Sequence, residues 1–350
     1  MKYRVVQWAT GNVGRRGLRA IIEHPEMELV GVYVTNPAKV GKDAAELCGL
    51  EQKTGVRATN KIDDILALKP DCINYSALVP SVEELERFLE SGINVSGTAG
   101  YILGTHLAAG ARERLDAAGK RGKATLYGSG FNPGVSNILA LVGTSMCDRV
   151  YSVSVTESVD VTNYASPGTW ALMGWGKPLG QQGDEATEKN IMTRVLLDAC
   201  EMTAEALGIR LEATRPEITY AVTKEDLDVP AGKFPKNTVA GQKMTYHGIA
   251  KGRSVVRQNI VYKVRGQLEP DFPLEHGYLM EVEGEPSLKI KLQLQKTQVE
   301  GVNRERSHMD SGMVGTAMPA VNAIPLVCRA APGVRRVDEL PLITGRGLLF

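Results

Sequence analysis

In residues 1–130, short apolar runs alternate with stretches whose apolar positions recur at helical spacing. Such runs are typical of strands in a buried parallel sheet, and the stretches between them are typical of helices that cover it. We predict strands at 3–8, 29–34, 71–74, 94–97 and 124–127, and helices at 18–23, 43–47, 63–68, 83–91 and 107–120. This order of elements predicts a Rossmann-type, doubly wound α/β domain with a parallel sheet.

From residue 150 the apolar positions recur at every second residue instead. This pattern predicts strands at 150–157, 219–223, 239–250, 254–264 and 287–295, interrupted by one long amphipathic helix at 185–207. The second part is therefore predicted to be an α+β domain built on a mostly antiparallel sheet.

The stretch 312–331 is predicted to form a last helix that packs back on the first domain. Pro319 and Pro325 lie inside it, so we expect this helix to be kinked or split. The predicted boundaries are then 1–130 plus about 312–350 for the first domain and 131–311 for the second.

The composition of the chain indicates which classes of binding partner to expect. The chain of 350 residues carries 41 basic and 40 acidic side chains, which gives no electrostatic footprint for a nucleic acid or an anionic membrane. Its five cysteines are scattered without metal-ligand or disulfide spacing, so we expect reduced thiols and no metal. With neither a signal peptide nor a long apolar run, the sequence predicts a soluble, cytoplasmic protein that binds small molecules.

Three glycines lie between the first predicted strand and the first predicted helix: Gly11, Gly14 and Gly17. Chance alone could supply this spacing in a glycine-rich chain, but at this position it is typical of a turn that holds a dinucleotide pyrophosphate at a helix N-terminus. The alternative is a plain strand-to-helix turn. The predicted cofactor residues of this turn are Thr10, Gly11, Asn12, Val13, Gly14 and Arg15.

The end of the second strand distinguishes NAD from NADP, because a carboxylate there binds the ribose 2′-hydroxyl and repels a 2′-phosphate. This chain has Thr35 and Asn36 at that place, with Arg15, Arg16 and Lys39 nearby. We therefore predict that Thr35, Asn36 and Lys39 contact the cofactor and that NADP is preferred, with NAD as the alternative.

Ligands of doubly wound sheets bind beyond the carboxyl ends of the strands. Small and polar residues follow three later strands, at 74–77, 96–100 and 128–134. These stretches are predicted to line the nicotinamide site, unless they are ordinary turns, and the predicted contacts are Ser76, Ala77, Thr98, Ala99, Asn132 and Pro133.

The runs 8–14, 97–100 and 130–134 together resemble the dihydrodipicolinate-reductase-like superfamily. The segments 157–176 and 316–331 (TAMPAVNAIPLVCRAA) resemble, more narrowly, its native amine dehydrogenase and 2,4-diaminopentanoate dehydrogenase group. This resemblance implies a homodimer with a Rossmann domain and a substrate and dimerisation domain. It also implies NAD(P)-dependent reductive amination of a small ketone or aldehyde by ammonia, and the reverse oxidative deamination of an amine.

The chain departs from its relatives at two points. The paired histidines of dihydrodipicolinate reductases are absent, which argues against a role in lysine biosynthesis. The amine dehydrogenases it resembles carry a glutamate just after the strand that ends here at Gly97, and this chain has Gly100 or Tyr101 at that place. Another group must then handle the proton, or the reaction differs from deamination.

Hydride transfer needs a proton donor or base close to the reacting heteroatom. The candidates are Tyr101, His106 and Glu157, each of which also has a purely structural interpretation. Asn163, Trp170 and Trp175 are candidate substrate contacts, although the tryptophans could equally seal a dimer interface. Without an arginine pair to hold a carboxylate, we expect a small apolar ketone or amine.

Two other functions stay open from the sequence. The missing glutamate allows a carbonyl or imine reductase that needs no ammonium. It also allows a dinucleotide-binding sensor without catalytic activity.

Overall fold

The computed structural model describes residues 2–98, 102–183, 190–295 and 308–349. The chain forms two compact units, Met1–Val135 with Gly312–Phe350, and Ser136–Ser311. We call them the first unit and the second unit, and each is described by itself.

The first unit opens with alternating strands and helices. Its strands are Tyr3–Trp8 (β1), Met27–Tyr33 (β2), Ala58–Thr59 (β3), Cys72–Tyr75 (β4), Asn94–Gly97 (β5) and Thr125–Gly128 (β6). Its helices up to this point are Gly14–Glu23 (α1), Ala44–Cys48 (α2), Ile62–Ala67 (α3), Val82–Glu90 (α4) and Ala111–Gly122 (α5).

The second unit is rich in longer strands. Its helices are Ser136–Thr144 (α6), Pro167–Leu172 (α7) and Ile191–Ala206 (α8). Its strands are Arg149–Asp160 (β7), Ala213–Thr223 (β8), Leu227–Val229 (β9), Gly232–Phe234 (β10), Val239–Ala250 (β11), Arg253–Lys263 (β12), Leu268–Glu269 (β13), Gly277–Glu285 (β14) and Leu288–Leu292 (β15). The last elements are His308–Val327 (α9), which belongs to the first unit from Gly312 onward, and Gly333–Arg335 (β16).

The sheet of the first unit has seven strands in the order β16-β6-β5-β4-β1-β2-β3. All of its neighbouring strands are parallel. Apolar side chains on one face, such as Val6 and Ile73, pack with Phe88 of α4 and Leu115 of α5. Because strand side chains alternate, the other face is separately buried, under α1 and α9. Burial on both faces explains why these strands read as continuous apolar runs.

Helix α9 belongs to the core of the first unit. Its Val321 and Ile324 pack against Val5 and Cys72 of the sheet. The predicted packing of this helix on the first domain is therefore confirmed. The helix continues through Pro319 and Pro325 and is not split within 308–327.

The main sheet of the second unit also has seven strands, in the order β13-β8-β11-β12-β7-β14-β15. Only β12 and β7 pair in parallel within it, and the other neighbours are antiparallel. Helix α8 packs on it through Leu197 and Cys200, which join a core with Met244 and Ile260. The predicted fold class, a parallel Rossmann-type sheet and a second, mostly antiparallel α+β unit, is confirmed.

Several elements differ from their predicted bounds. Helix α5 begins at Ala111 rather than at residue 107, because Gly110 is its left-handed N-cap. Helix α8 is described from Ile191, and the earlier part of its predicted range lies outside the described residues. The elements that were not predicted are α6, α7, β3, β9, β10, β13, β14 and β16. Of these, β14 alternates buried and less buried residues in the usual way.

Candidate active site

The turn between β1 and α1 is built around backbone groups. Helix α1 has Val13 at its N-cap and no side-chain cap, so the helix N-terminus is left to backbone N–H groups. Arg16 folds back within the turn and donates from Nη1 to the carbonyl of Asn12 at 2.6 Å. An uncapped helix N-terminus in a glycine-rich turn is suited to an anionic phosphate.

The three glycines of this turn meet different surroundings. A Cβ at Gly14 would lie 2.3 Å from the carbonyl oxygen of Ala9, and a Cβ at Gly17 would lie 2.6 Å from Nδ2 of Asn74. A Cβ at Gly11 would meet no protein atom within 4 Å. Gly14 and Gly17 are therefore required by packing of the helix, whereas Gly11 faces open space. Close approach of a ligand to bare backbone is the use that dinucleotide-binding folds make of such a glycine.

Positive charge gathers at the carboxyl ends of β1 and β2. Lys39 donates from Nζ to the carbonyl oxygen and the hydroxyl of Thr10, at 2.8 and 3.1 Å. Desolvation, and then the charges of Arg15 and Lys42, lower the pKa of Lys39. Asn36 caps a short 3-10 turn by accepting from the N–H of Ala38 at 3.0 Å. The predicted residues Thr10, Arg15, Asn36 and Lys39 thus lie at one edge of the sheet.

The ends of β4, β5 and β6 lie along the same edge. Thr98 donates its N–H to the carbonyl of Tyr75 at 2.9 Å and its hydroxyl to Ser76 Oγ at 3.2 Å. Asn132 and Pro133 follow β6 in an irregular turn at Phe131–Val135. Ala77 is half-buried beside Ser76, whereas Ala99 lies outside the described residues. Parallel pairing therefore brings the predicted nicotinamide-side residues Ser76 and Thr98 into contact.

In the second unit, Glu157 is a buried carboxylate with tyrosine partners. It lies in β7 with 8% of its surface exposed. Its Oε1 accepts from the hydroxyls of Tyr262 at 2.7 Å and Tyr278 at 3.3 Å. Desolvation, and then the charge of Glu157, raise the pKa of both tyrosines. Both hydroxyls therefore stay protonated and act as donors to the carboxylate.

Trp170 and Trp175 belong to the core of the second unit, with 3% and 5% of their surfaces exposed. Their rings are stacked with centroids 4.6 Å apart, and Trp170 also packs edge-on against Tyr262 at 6.5 Å. The indole N–H of Trp170 donates to the carbonyl of Tyr164 at 2.9 Å, whereas that of Trp175 is buried without a partner among the described residues. Tyr262 therefore contacts both the carboxylate of Glu157 and the ring of Trp170.

The remaining predicted residues are dispersed. His106 is half-buried in a segment of turns that precedes α5, so it is not part of that helix. Asn163 is exposed in the turn that follows β7. Tyr101 lies outside the described residues, as does Gly100.

Sequence reasoning missed three residues that these sites involve. Tyr262 and Tyr278 contact Glu157 only because β12 and β14 are neighbours of β7 in the sheet. Gln7 lies fully buried in β1 and donates to the carbonyl of Ala9 at 2.9 Å. A glutamine between Val6 and Trp8 of a strand was a visible signal, because a buried polar side chain requires a partner.

The doubly wound sheet, the open turn at Gly11 and the uncapped helix α1 define a dinucleotide-binding oxidoreductase. Comparison with known proteins gives the family. Residues 135–346 match the model of the 2,4-diaminopentanoate dehydrogenase C-terminal domain, and residues 5–113 match that of the dihydrodipicolinate reductase N-terminus. The chain belongs to the 2,4-diaminopentanoate dehydrogenase family of NAD(P)-dependent dehydrogenases and is an enzyme.

Individual relatives agree with this assignment. An amine dehydrogenase of Streptomyces virginiae is 30% identical over 98% of both chains. The 2,4-diaminopentanoate dehydrogenase of Acetoanaerobium sticklandii is 23% identical over 81% of this chain and 75% of its own. Among solved structures, an amine dehydrogenase from Mycobacterium smegmatis has the same fold, with a TM-score of 0.80, 20% identity and coverage of 100% and 99%.

Within the described ranges, we find no helix with the length and hydrophobicity needed to span a bilayer.

The different surroundings of Gly11 and Gly14 generate a prediction. Gly11→Ala adds a methyl group to open space, so Tm should stay unchanged while Kd for the dinucleotide rises about tenfold, or ~1.4 kcal/mol. Gly14→Ala forces backbone apart and should lower the free energy of unfolding by ~1–3 kcal/mol. Thermal melts and fluorescence titration with NADPH check both. Unchanged binding by Gly11→Ala would mean that the open space is not the pyrophosphate site.

Proposed function

We propose that this enzyme is an amine dehydrogenase that acts on the C–N bond of a small amine. In the reductive direction a ketone or aldehyde, ammonia, NAD(P)H and a proton give the amine, NAD(P)⁺ and water. The full-length similarity to the Streptomyces amine dehydrogenase is the observation that carries this proposal. The bound cofactor would supply the hydride, and the turn at Gly11 with the N-terminus of α1 would hold its pyrophosphate.

We further propose a small apolar ketone or amine as substrate, a homodimer and a cytoplasmic location, with no nucleic-acid or membrane partner. The lack of an arginine pair in the segment 157–176 supports an apolar substrate. Trp170 and Trp175, which were predicted as substrate contacts, instead pack in the core of the second unit. The near balance of charge supports the absence of polyanionic partners.

The proposed reaction is tested by ammonium dependence. Purified enzyme with NADPH or NADH and a panel of small ketones and aldehydes should oxidise the cofactor only when ammonium is present, and the amine should form. Absorbance at the reduced-nicotinamide band and mass spectrometry follow the two products. Oxidation without ammonium that yields an alcohol would select a carbonyl reductase instead, which the absence of the glutamate near Gly100 and Tyr101 favours as the second candidate.

We propose that NADP is the preferred cofactor. Thr35 and Asn36 offer no carboxylate to repel a 2′-phosphate. Lys39, beside Arg15 and Lys42, brings positive charge to the same strand ends. A charged donor next to a phosphate gives a charge-assisted hydrogen bond, which favours the phosphorylated cofactor.

The variant Lys39→Met tests this preference. It should raise Kd for NADPH about tenfold more than Kd for NADH, because only NADPH loses a charged contact. Loss of the hydrogen bond from Lys39 to Thr10 would weaken the binding of NADPH and NADH alike, so the quantity to measure is the ratio of the two Kd values. Lys120→Met, which removes a lysine paired with Asp116 on α5, is the matched control and should leave the ratio unchanged. An equal loss for both cofactors in Lys39→Met would contradict the preference.

We also propose that Glu157 handles the proton of the reaction in place of the missing glutamate. Its burial and its two tyrosine donors fix the position of the carboxylate and limit its contact with water. A positioned carboxylate of this kind is a common general base. Tyr101 and His106 remain candidates for the same role.

Glu157→Gln tests the assignment with little change in shape. The amide oxygen can still accept from Tyr262 and Tyr278, so the fold should persist while kcat falls roughly a hundredfold or more and Kd for NADPH stays the same. Glu281→Gln on the neighbouring strand β14, where the carboxylate pairs with Lys289, is the control and should leave kcat unchanged. A normal kcat for Glu157→Gln would move the role to Tyr101 or His106.

A further inference from the structure

Three buried polar side chains form a row across the middle of the parallel sheet. Gln7 of β1 is in register with Asn74 of β4, which is in register with Ser96 of β5. All three are fully buried. Burying an amide or hydroxyl is unfavourable unless it is hydrogen-bonded, so the partners of these side chains indicate what each one stabilises.

The partners of Gln7 lie at the start of the glycine-rich turn. Its Nε2 donates to the carbonyl oxygens of Trp8 at 3.1 Å and Ala9 at 2.9 Å. Its Oε1 accepts from Nδ2 of Asn74 at 2.7 Å. The carbonyls on one side and the Asn74 donor on the other fix the orientation of the Gln7 amide. We call Gln7 and Asn74 the amide pair.

Ala9 needs such support. Its φ of 66° lies in the left-handed region, which is unfavourable for a residue with a Cβ. It is held there by its own N–H, which donates to the carbonyl of Tyr33 at 2.9 Å, and by Gln7, which binds its carbonyl. The direction of the chain into Thr10 and Gly11 follows from this conformation.

Helix α1 packs directly on the amide pair. The carbonyl of Ala9 is the atom that a Cβ at Gly14 would meet at 2.3 Å. A Cβ at Gly17 would meet Nδ2 of Asn74 at 2.6 Å and Oε1 of Gln7 at 3.0 Å. The glycines at both positions therefore fit the helix to the amide pair and to the carbonyl that the pair binds.

The hydrogen-bond network around Gln7 also reaches the carboxyl ends of β4 and β5. Nε2 of Gln7 lies 3.4 Å from Oγ of Ser76, which accepts from the hydroxyl of Thr98 at 3.2 Å. A single buried side chain thus joins the turn after β1 to the ends of β4 and β5. In a dinucleotide-binding sheet, the first of these places holds the pyrophosphate and the later strand ends flank the nicotinamide.

We propose that Gln7, with Asn74, is a positioning residue for the cofactor site: it holds the turn 8–14 in the conformation that receives a dinucleotide and ties it to Ser76 and Thr98. The identity of the ligand in this proposal rests on the proposed function. The conformation of the turn that Gln7 stabilises is a property of the free protein. Gln7 itself is buried beneath the turn and is not a catalytic residue.

Gln7→Met tests the proposal, with Ser96→Ala as the matched control. Ser96 was predicted in the stretch 96–100 that lines the nicotinamide site, but the structure places it inside β5, fully buried, and not beyond the end of the strand. Its hydroxyl donates to the carbonyl of Ala320 in α9 at 2.7 Å and not to the turn, so Ser96 is not part of the predicted cofactor site. Hydrogen–deuterium exchange of the free protein, followed by mass spectrometry, should show faster exchange of peptides covering 8–17 in Gln7→Met and wild-type exchange of these peptides in Ser96→Ala.

Binding gives the second measurement. Gln7→Met should raise Kd about tenfold for NADPH and NADH alike, because it alters the turn and not the contact with the 2′-phosphate. Ser96→Ala should lower Tm and leave both Kd values unchanged. If Gln7→Met does not fold, Asn74→Ala, which leaves Gln7 in place without its partner amide, should show the same change in exchange to a smaller degree.

The outcomes separate the two proposals. Wild-type exchange of 8–17 in the folded Gln7 or Asn74 variant would overturn the positioning role, as would faster exchange spread evenly through the first unit. A wild-type protein that binds neither NADPH nor NADH would overturn the proposed function instead, and the exchange measurement on the free protein would still decide the role of Gln7.

Discussion

The close packing of helix α1 on the turn after β1 is the contact on which the cofactor site depends. Gly14 and Gly17 bring the helix against the carbonyl of Ala9 and the buried amides of Gln7 and Asn74. This approach fixes where the N-terminus of α1 points, and Gly11 leaves bare backbone in front of it. A helix N-terminus can bind a phosphate only if it points at the ligand. The ligand site therefore depends on the buried polar contacts that orient the helix.

The parallel sheet extends this arrangement to the rest of the site. All pairs in the sheet are parallel, and therefore every strand delivers its carboxyl end to the same edge. Lys39, Ser76 and Thr98 come from distant parts of the chain, yet they meet the turn or each other at that edge. The second unit buries the carboxylate of Glu157 against the hydroxyls of Tyr262 and Tyr278. Trp170 packs edge-on against the ring of Tyr262. A fixed carboxylate in such surroundings is suited to proton transfer.

The departure from the relatives changes what the chemistry requires. The resemblance to amine dehydrogenases implies a glutamate at the position of Gly100 or Tyr101, and neither of these residues is acidic. A reaction that releases or consumes a proton still needs a group to handle it. Glu157 is a buried carboxylate whose partners hold it in place, and it lies in a strand rather than in a loop. Rigid strands position functional groups more accurately than loops do, which supports the role proposed for Glu157.

The sequence by itself determined the doubly wound domain, the glycine-rich turn, the lack of an acid at Thr35 and Asn36, and the class of enzyme. The first three depend on local patterns: apolar runs of strand length, helical spacing and turn residues at fixed offsets. The class of enzyme was implied by the resemblance of the segments 157–176 and 316–331 to known dehydrogenases. Only the tertiary structure decided that Gln7 holds Ala9, that Tyr262 and Tyr278 donate to Glu157, and that Gly11 alone of the three glycines faces open space. Some of those contacts join residues that are far apart in the chain, and the order of the strands determines which of them meet. Others depend on which face of an element is covered, and the packing of the helices determines that.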